Sequence, residues 1–589
     1  MELGSSYWFL KAKCNPSAAG HCAEPGCHII VCKMRDLRQP MSAIPLAGRR
    51  RSGRRAWAFR LLSAVVFVGS LAARQTSPSK TAQVAARQKA RADITQFHAR
   101  VESILADSSA GRASWGILVA DQNTGNPLYA LNPEHFFSPA SNAKIFTTAL
   151  ALAQLGSDYR FHTTLESNGI LGADGRLAGD FILVGRGDPD LSNRKFPYDQ
   201  QEETYGPVDT VLAEMVDAAV AKGLKEVDGN IVADDSYFPY DPYPAGWNVG
   251  DLFFKFGAPV SAIDFNDNSV SVEMRPGASL GAQPAIAVQP EAAAGRFGFE
   301  LTTAASGEQS DFAVVRQPGA AFLLLRGSIS LGHAPMRTEL AMLDPAETAA
   351  ADLQQLLEAR GVAVRGEIRV QHGAPPRTSP SGEPILGPSL AATSHSANSL
   401  ILAEHVSQPL LEIVRVTNKT SQNLHAELLL RTVGREKLGT GSTAAGLKIE
   451  RDFLTAAGIA HADVILSDGC GLARDDLVTP RAVVALLSYA LHQPWGDAFV
   501  ATLPVAGVDG TLEHRLRNTA AAGVVEAKTG SADHVRALSG YATTGRGEHL
   551  VFSIFDNNNP QRGANATTAL DAITAAMVQT LGTPEARHQ

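Results

Sequence analysis

Apolar positions along this chain fall into distinct textures. Ile94, Phe97, Val101, Ile104 and Leu105 recur at helical spacing and predict an amphipathic helix. Two apolar runs follow, Trp115 to Asp121 and Pro127 to Leu131, and the Gln122-Asn123-Thr124-Gly125 between them is a hairpin signal. Ser138-Pro139-Ala140-Ser141-Asn142-Ala143-Lys144 then opens a segment whose Ile145, Phe146, Ala149, Leu150 and Leu152 suit a buried helix ending near Gly156. From 158 to 395 the texture changes to short alternating runs broken by Gly, Asp and Pro, such as Asp180 to Val184 and Ala321 to Leu325. A mainly β insertion is expected there, closing in an exposed Pro/Ser/Gly-rich connection at 374–389. Helical patterns resume after Ser421 and after Pro480. Two strands, Ala537 to Thr543 and His549 to Asp556, then precede a final helix at about 566–581. No repeat of fixed period is present.

The first 90 residues follow other rules. The basic run Arg49 to Arg55, then Arg60, leads into the apolar stretch Leu61 to Ala73, which is too short for the ~20 residues that span a bilayer. Residues 41–74 therefore read as a signal peptide cleaved near Ala73, so contact with the membrane is expected only in transit. Residues 75–93 are polar and Ala-rich, a linker in composition. Residues 1–40 read as an extension ahead of a true start at Met41. They hold Cys14, Cys22, Cys27 and Cys32, whose spacing fits no Cys-x-x-Cys ligand pattern. Beyond them only Cys470 remains, and one cysteine forms no internal disulfide.

With 589 residues, 44% of them hydrophobic and 19% charged, the chain has the balance of a soluble globular protein of several compact units. Residues 1–60 carry 11 Lys/Arg against 3 Asp/Glu, which leaves an acidic body with 41 against 56. An acidic body without a basic stripe argues against nucleic acid as a partner.

Three motifs stand in a meaningful order: Ser141-x-x-Lys144, Ser421-Gln422-Asn423 and Lys528-Thr529-Gly530-Ser531. Together they form the active-site set of penicillin-recognising serine enzymes. The first motif alone is weak, because Ser77/Lys80 and Ser192/Lys195 match it too, and Ser396-Ala397-Asn398 competes with the second. Only Ser141 opens a buried helix, and only Asn423 leads into helix-forming residues. Lys144, three positions on, shares a helix face with Ser141, so a neutral amine there takes the hydroxyl proton. A lysine is normally protonated near neutral pH, so burial or a neighbouring cation must lower its pKa, and Lys528 is a candidate for that charge. The N–H groups of Ser141 and Ser531 suit an oxyanion hole. Ser421 suits a proton relay to the leaving amine, and Asn423 suits a substrate amide. Lys528, Thr529 and Ser531, beside Gly530, suit a terminal carboxylate. No His-Glu-x-x-His or similar set is present, so neither metal nor other cofactor is expected.

The chain resembles the class C low-molecular-mass penicillin-binding proteins, the D-alanyl-D-alanine carboxypeptidase/endopeptidase family, over about 95–585. Beyond the three motifs, the resemblance rests on Gly185-Arg186-Gly187-Asp188-Pro189, on Asn418-Lys419 leading to Ala426-Glu427, on Asp468-Gly469-Cys470-Gly471-Leu472, and on Leu538-Ser539-Gly540-Tyr541. It implies an α/β (α+β) penicillin-binding/serine β-lactamase-like catalytic domain, with helices packed on an antiparallel sheet. A large, mainly β insertion of two smaller domains interrupts it. The catalytic parts are expected at 94–157 and 396–585 and the insertion at 158–395, a size that suggests room for a polymer. The implied activity is cleavage of D-alanyl-D-alanine, and of D-Ala cross-bridges, in peptidoglycan stem peptides in the periplasm or cell envelope. β-Lactam antibiotics would act as covalent inhibitors. A β-lactamase, or a non-catalytic β-lactam-sensing or wall-binding scaffold, is the alternative. Cys470 and Ala473 depart from the hydroxyl residues usual in a loop expected near the cleft.

Overall fold

The runs at 114–121 and 549–557 read as nearly unbroken apolar stretches because both faces of their sheet are covered. In the computed structural model, which describes residues 91–107, 110–317, 320–377, 385, 399–560 and 563–582, five antiparallel strands form this sheet. Their order is Pro127–Leu131, Ser114–Asp121, His549–Asn557, Val535–Thr543 and Val525–Ala532. The extension at 1–40, the signal segment at 41–74, the linker up to residue 90, and the competing motifs at Ser77 and Ser396 lie outside the described residues.

Period-two alternation assigns each strand residue to one of two cores. Ile117, Val119, Leu538, Phe552 and Ile554 meet Phe97 and Val101 of the helix Ala92–Leu105 and Leu570, Ile573 and Met577 of the helix Thr568–Thr580. On the other face Leu118, Ala537, Tyr541, Val551 and Phe555 meet Ile145, Phe146 and Leu150 of the helix Lys144–Leu155, together with Leu429, Val433, Val483 and Leu487. The Lys-Thr-Gly strand, Val525–Ala532, is an edge of this sheet; its first residues bond residues 504–506, and beyond them the outward backbone at Ser531 faces no further strand and can meet a ligand.

The insertion is mainly β, as its alternating runs predict. A mixed sheet runs Ile368–Gly373, Ile231–Pro239, Phe181–Val184, His162–Ser167 and Leu400–Val406, and two three-stranded sheets lie between Ser269 and Ala341. Leu400–Val406 pairs with His162–Ser167, so this sheet runs past the boundary at 395 expected from the sequence. Two helices in it, Thr210–Ala221 and Pro345–Ala359, were not expected from the sequence. The second has a clear start signal, since Asp344 accepts the N–H of Glu347 and Pro345 supplies the preset first turn. A third unexpected helix, Leu410–Lys419, buries Leu410, Ile413, Val414 and Thr417 and delivers the chain to Ser421. Among the described residues no helix is long and apolar enough to cross a membrane.

Candidate active site

Ser141 lies in a 3₁₀ turn, Ala140–Ala143, that runs into the helix Lys144–Leu155. A 3₁₀ turn has three residues per revolution, so residues three apart stand one above the other. Lys144 Nζ accordingly lies 2.9 Å from Ser141 Oγ. The amine has two further partners, Asn423 Oδ1 at 2.7 Å and the carbonyl oxygen of Cys470 at 2.8 Å. Both can only accept, so they claim two of its hydrogens. In a neutral amine the remaining tetrahedral direction, towards Ser141 Oγ, is the lone pair. The same three contacts satisfy an ammonium, so the pocket holds both protonation states without moving.

Lys144 and Lys528 are both fully buried. Burial pulls the Lys144 pKa below its usual value, while Cys470, Asp468, Glu427 and Asp476 push it back up. Lys528 is pulled well down, first by burial and then by the charge of Lys144. Of the two causes expected from the sequence, burial or the Lys528 charge, burial is therefore the main one for Lys144.

Lys528 Nζ donates to Ser421 Oγ at 2.8 Å and to the Thr529 carbonyl at 3.0 Å. Ser421 sits in the left-handed region, φ 60°, at the sharp turn between the helix Leu410–Lys419 and the helix Asn423–Leu438. Gln422, not Ser421, caps the second helix, its Oε1 taking the Leu424 N–H. Ser421 Oγ is thereby left to Lys528. Asn423 Nδ2 donates to the Phe256 carbonyl at 2.7 Å and keeps one hydrogen for a ligand.

The Lys-Thr-Gly strand lies against the Ser141 turn, where Asn142 Nδ2 donates to the Lys528 carbonyl at 3.0 Å. A Cβ on Gly530 would come within 2.4 Å of the Pro139 oxygen, so only glycine permits this approach. Thr529 Oγ1 is 2.8 Å from Thr511 Oγ1. Ala527 N–H bonds the Pro504 carbonyl and the Val525 carbonyl takes the Ala506 N–H, both away from the neighbouring strand. Alternate residues repeat that orientation, so the N–H of Ser531, whose side chain is exposed, also faces the open edge. The structure thus gathers Ser141, Lys144 and Asn423 into one set of contacts and Ser421, Lys528 and Thr529 into a second. Gly530 and Ser531 lie on the strand that closes the site.

Asp468 is an organising residue that sequence reasoning quoted without a role. Its carboxylate accepts the backbone N–H groups of Cys470, Gly471, Leu472 and Ala473 at 2.6–3.0 Å and the Trp247 indole N–H at 2.8 Å. An aspartate opening a Gly-rich turn commonly folds the following backbone onto itself, and that signal was present in Asp468-Gly469-Cys470-Gly471. Gly471, at φ 85°, passes so close to Ala140 that a Cβ would meet its oxygen at 1.9 Å. Cys470 is buried, with its thiol 3.5 Å from Asp468 Oδ2 and its pKa pushed well up by burial. Cys470 reaches the site through its carbonyl and Ala473 supports Asp468 through its N–H, so neither position needs a hydroxyl. Trp247 and Phe256 had no sequence signal, because they act from the insertion.

Among the described residues, two buried clusters have ligand-type side chains. Glu427, Asp468 and Cys470 form one, but the Asp468 oxygens are taken by five N–H donors. Asp264, Asp267 and His425 form the other, where Arg194 and Lys255 both pair with Asp267 and burial pushes the Asp264 pKa well up. A divalent ion at either would displace existing partners. The competing Ser192 donates to the Pro189 carbonyl, and Lys195 pairs with Asp199 and Glu202. Beside Ser421 and Asn423 an open cleft of about 430 Å³ runs to Phe254, Lys255 and Phe256 of the insertion.

Residues 97–380 and 387–577 match the family described as D-Ala-D-Ala carboxypeptidase 3 (S13). A D-alanyl-D-alanine carboxypeptidase of Actinomadura sp. (strain R39) is 34% identical over 504 residues, 83% of this chain and 86% of that protein. D-alanyl-D-alanine carboxypeptidase DacB of Haemophilus influenzae is 28% identical over 447 residues, 75% of this chain and 85% of the relative. The crystal structure of penicillin binding protein 4 (dacB) from Haemophilus influenzae superposes with a TM-score of 0.67 at 25% identity, covering 81% of this chain and 98% of that one. The family match runs through all three motifs and most of the insertion, and the chain belongs to the D-Ala-D-Ala carboxypeptidase 3 (S13) family.

Proposed function

We propose that the protein is a serine acyl-enzyme peptidase of the cell envelope. It releases D-alanine from peptidoglycan stem peptides and, with a different leaving amine, cuts D-Ala cross-bridges. β-Lactams acylate it at Ser141. The observation that carries this reading is the Lys144 amine, 2.9 Å from Ser141 Oγ and held there by two acceptors.

Lys144 takes the Ser141 proton as Oγ forms a bond to the penultimate D-alanine carbonyl carbon. The oxyanion is met by the N–H groups of Ser141 and Ser531. Collapse breaks the peptide bond, and the proton that Lys144 took from Ser141 passes through Ser421 Oγ to the leaving nitrogen, which returns Lys144 to the neutral amine while Lys528 holds Ser421 in place. Water, deprotonated by Lys144, then attacks the ester and frees Ser141. Lys528 and Thr529 receive the terminal carboxylate, and the free Asn423 Nδ2 hydrogen receives a backbone carbonyl of the substrate.

The four glutamates that a β-lactamase reading would draw on are poorly placed to hydrolyse the ester rapidly. Glu427 and Glu450 are buried, with pKa values pushed up to about 8 by desolvation, and Glu513 pairs with Arg517. Glu526 lines a different cleft, with Asp497 and His549. Fluorescent penicillin labelling of wild type and Ser141→Ala tests the proposal, followed by mass analysis of muropeptides. A label lasting minutes or longer, absent from the variant, and loss of terminal D-alanine are expected. Turnover of the label in well under a second would instead mark a β-lactamase, and unchanged muropeptides a scaffold.

A further inference from the structure

Both acceptors that aim the Lys144 amine belong to the catalytic part of the chain, yet each is itself held by the insertion. Asn423 Oδ1 faces Lys144 because Asn423 Nδ2 is engaged by the Phe256 carbonyl at 2.7 Å. The flipped amide would set N–H groups against the amine and its oxygen against a carbonyl, two repulsions in place of two bonds. The Cys470 carbonyl is presented by the loop wrapped around Asp468, and the donor to that carboxylate from outside the loop is Trp247 Nε1 at 2.8 Å. A third tie lies just behind. His425, two residues after Asn423, contacts Asp267 Oδ1 at 3.2 Å, and Asp267 sits in a turn of three left-handed residues, Asn266 to Asn268.

We infer that the insertion is a working part of the base, with Trp247 as the positioning residue that, through Asp468 and the Cys470 carbonyl, keeps the Lys144 lone pair on Ser141. The insertion then matters for a small soluble substrate as much as for a polymer, which its size alone would not suggest. The indole ring also packs against a small apolar cluster, Phe238, Val260, Ala262, Leu424 and Leu428, that joins the insertion to the helix bearing Asn423. Trp247→Phe retains most of that packing and removes the N–H alone.

The inference rests on the peptidase reading, and its test separates the two. The acylation rate constant with a soluble penicillin is measured against pH for wild type, Trp247→Phe and Ser141→Ala. The groups facing Lys144 are Asp468, Cys470 and Asp476 from the loop, Glu427 from the helix and Lys528 from the strand. Once Asp468 loses a donor, its charge acts more fully on Lys144 and favours the ammonium. Trp247→Phe should therefore acylate about tenfold more slowly near pH 7, with the acid limb of its profile moved to higher pH and the gap narrowing in alkali. Wild-type rate and profile in folded Trp247→Phe overturn the inference, and so does a loss equal at every pH, the mark of general damage. Should Trp247→Phe fail to fold, His425→Gln against His425→Leu decides: the glutamine retains a donor for Asp267 and should acylate faster than the leucine, and equal rates overturn the inference. Wild type that takes no label, or labelled Ser141→Ala, defeats the peptidase reading instead.

Discussion

Lys144 and Lys528 are both sealed from solvent and both touch a serine hydroxyl, yet their pockets differ in kind. Lys144 has three oxygen partners and stands before a cluster of acids: Asp468, Glu427 and Asp476. Lys528 has Ser421 Oγ and one carbonyl, and no carboxylate opposes its desolvation. The first pocket is complete and accommodates either charge state. The second lacks an anion, and a substrate ending in a carboxylate supplies it. One lysine is thus built to exchange a proton, the other to wait for a counter-ion.

The largest effect should come from Lys144→Met, which keeps the bulk and removes the amine. General-base assistance is typically worth 10²–10⁴ in rate, so acylation should fall by about 10³, as stopped-flow or mass-spectrometric labelling reads. In wild type the neutral amine is the active form, so kcat/KM rises with pH through the Lys144 pKa, a limb lying below the usual 10.5 because burial lowers it. Lys144→Met loses that limb. Lys528→Ala comes next. A charged hydrogen bond contributes roughly 1.5–3 kcal/mol, so kcat/KM for a peptide with a free C-terminal carboxylate should drop about 10- to 100-fold. The same peptide with an amidated C-terminus should lose far less, and equal losses on both peptides would erase the distinction between the pockets.

What the sequence disclosed follows the same line. Ser141, Lys144, Ser421 and Lys528 were legible because their types are chemically unusual at that spacing and the flanking apolar periodicity located Ser141 on a helix. The central sheet was legible because its strands alternate between two cores. The second hydrogen-bond acceptor of Lys144 was not, because it is a backbone carbonyl, and any residue at 470 would supply one. Phe256 likewise acts through its carbonyl, and Trp247 lies 221 positions from the Asp468 it serves. The helix Leu410–Lys419 was missed although Leu410, Ile413, Val414 and Thr417 have the right spacing, because 10 residues give the period too few turns to stand out.

Gly530→Ala tests how closely the two pockets must approach. Its methyl group would lie 2.4 Å from the Pro139 oxygen, so the Lys-Thr-Gly strand must move back from the Ser141 turn. Overpacking of this sort typically costs about 1–3 kcal/mol. A lower melting temperature and an acylation loss of about tenfold are expected, with the lysine pH limb unchanged because neither amine loses a partner. A shifted limb would mean that the strand also carries the Lys144 environment.

The smallest effect concerns a buried acid beside Asp468 and Glu427. Glu450 is buried, its Oε1 has no hydrogen-bond partner, and desolvation raises its pKa from the usual 4.5 to about 8. Near pH 7 it is therefore mainly the neutral acid, which Glu450→Gln imitates. Between about 4.5 and 8 the unfolded chain has released this proton while the folded chain retains it, so wild-type stability falls as pH rises through that window. Glutamine carries no such proton. The melting temperature of Glu450→Gln relative to wild type should rise from pH 4.5 to 8 and stay level above it, with acylation near pH 7 unchanged. A difference constant with pH would mean that Glu450 is ionised in the fold, a negative charge added beside Asp468 and Glu427.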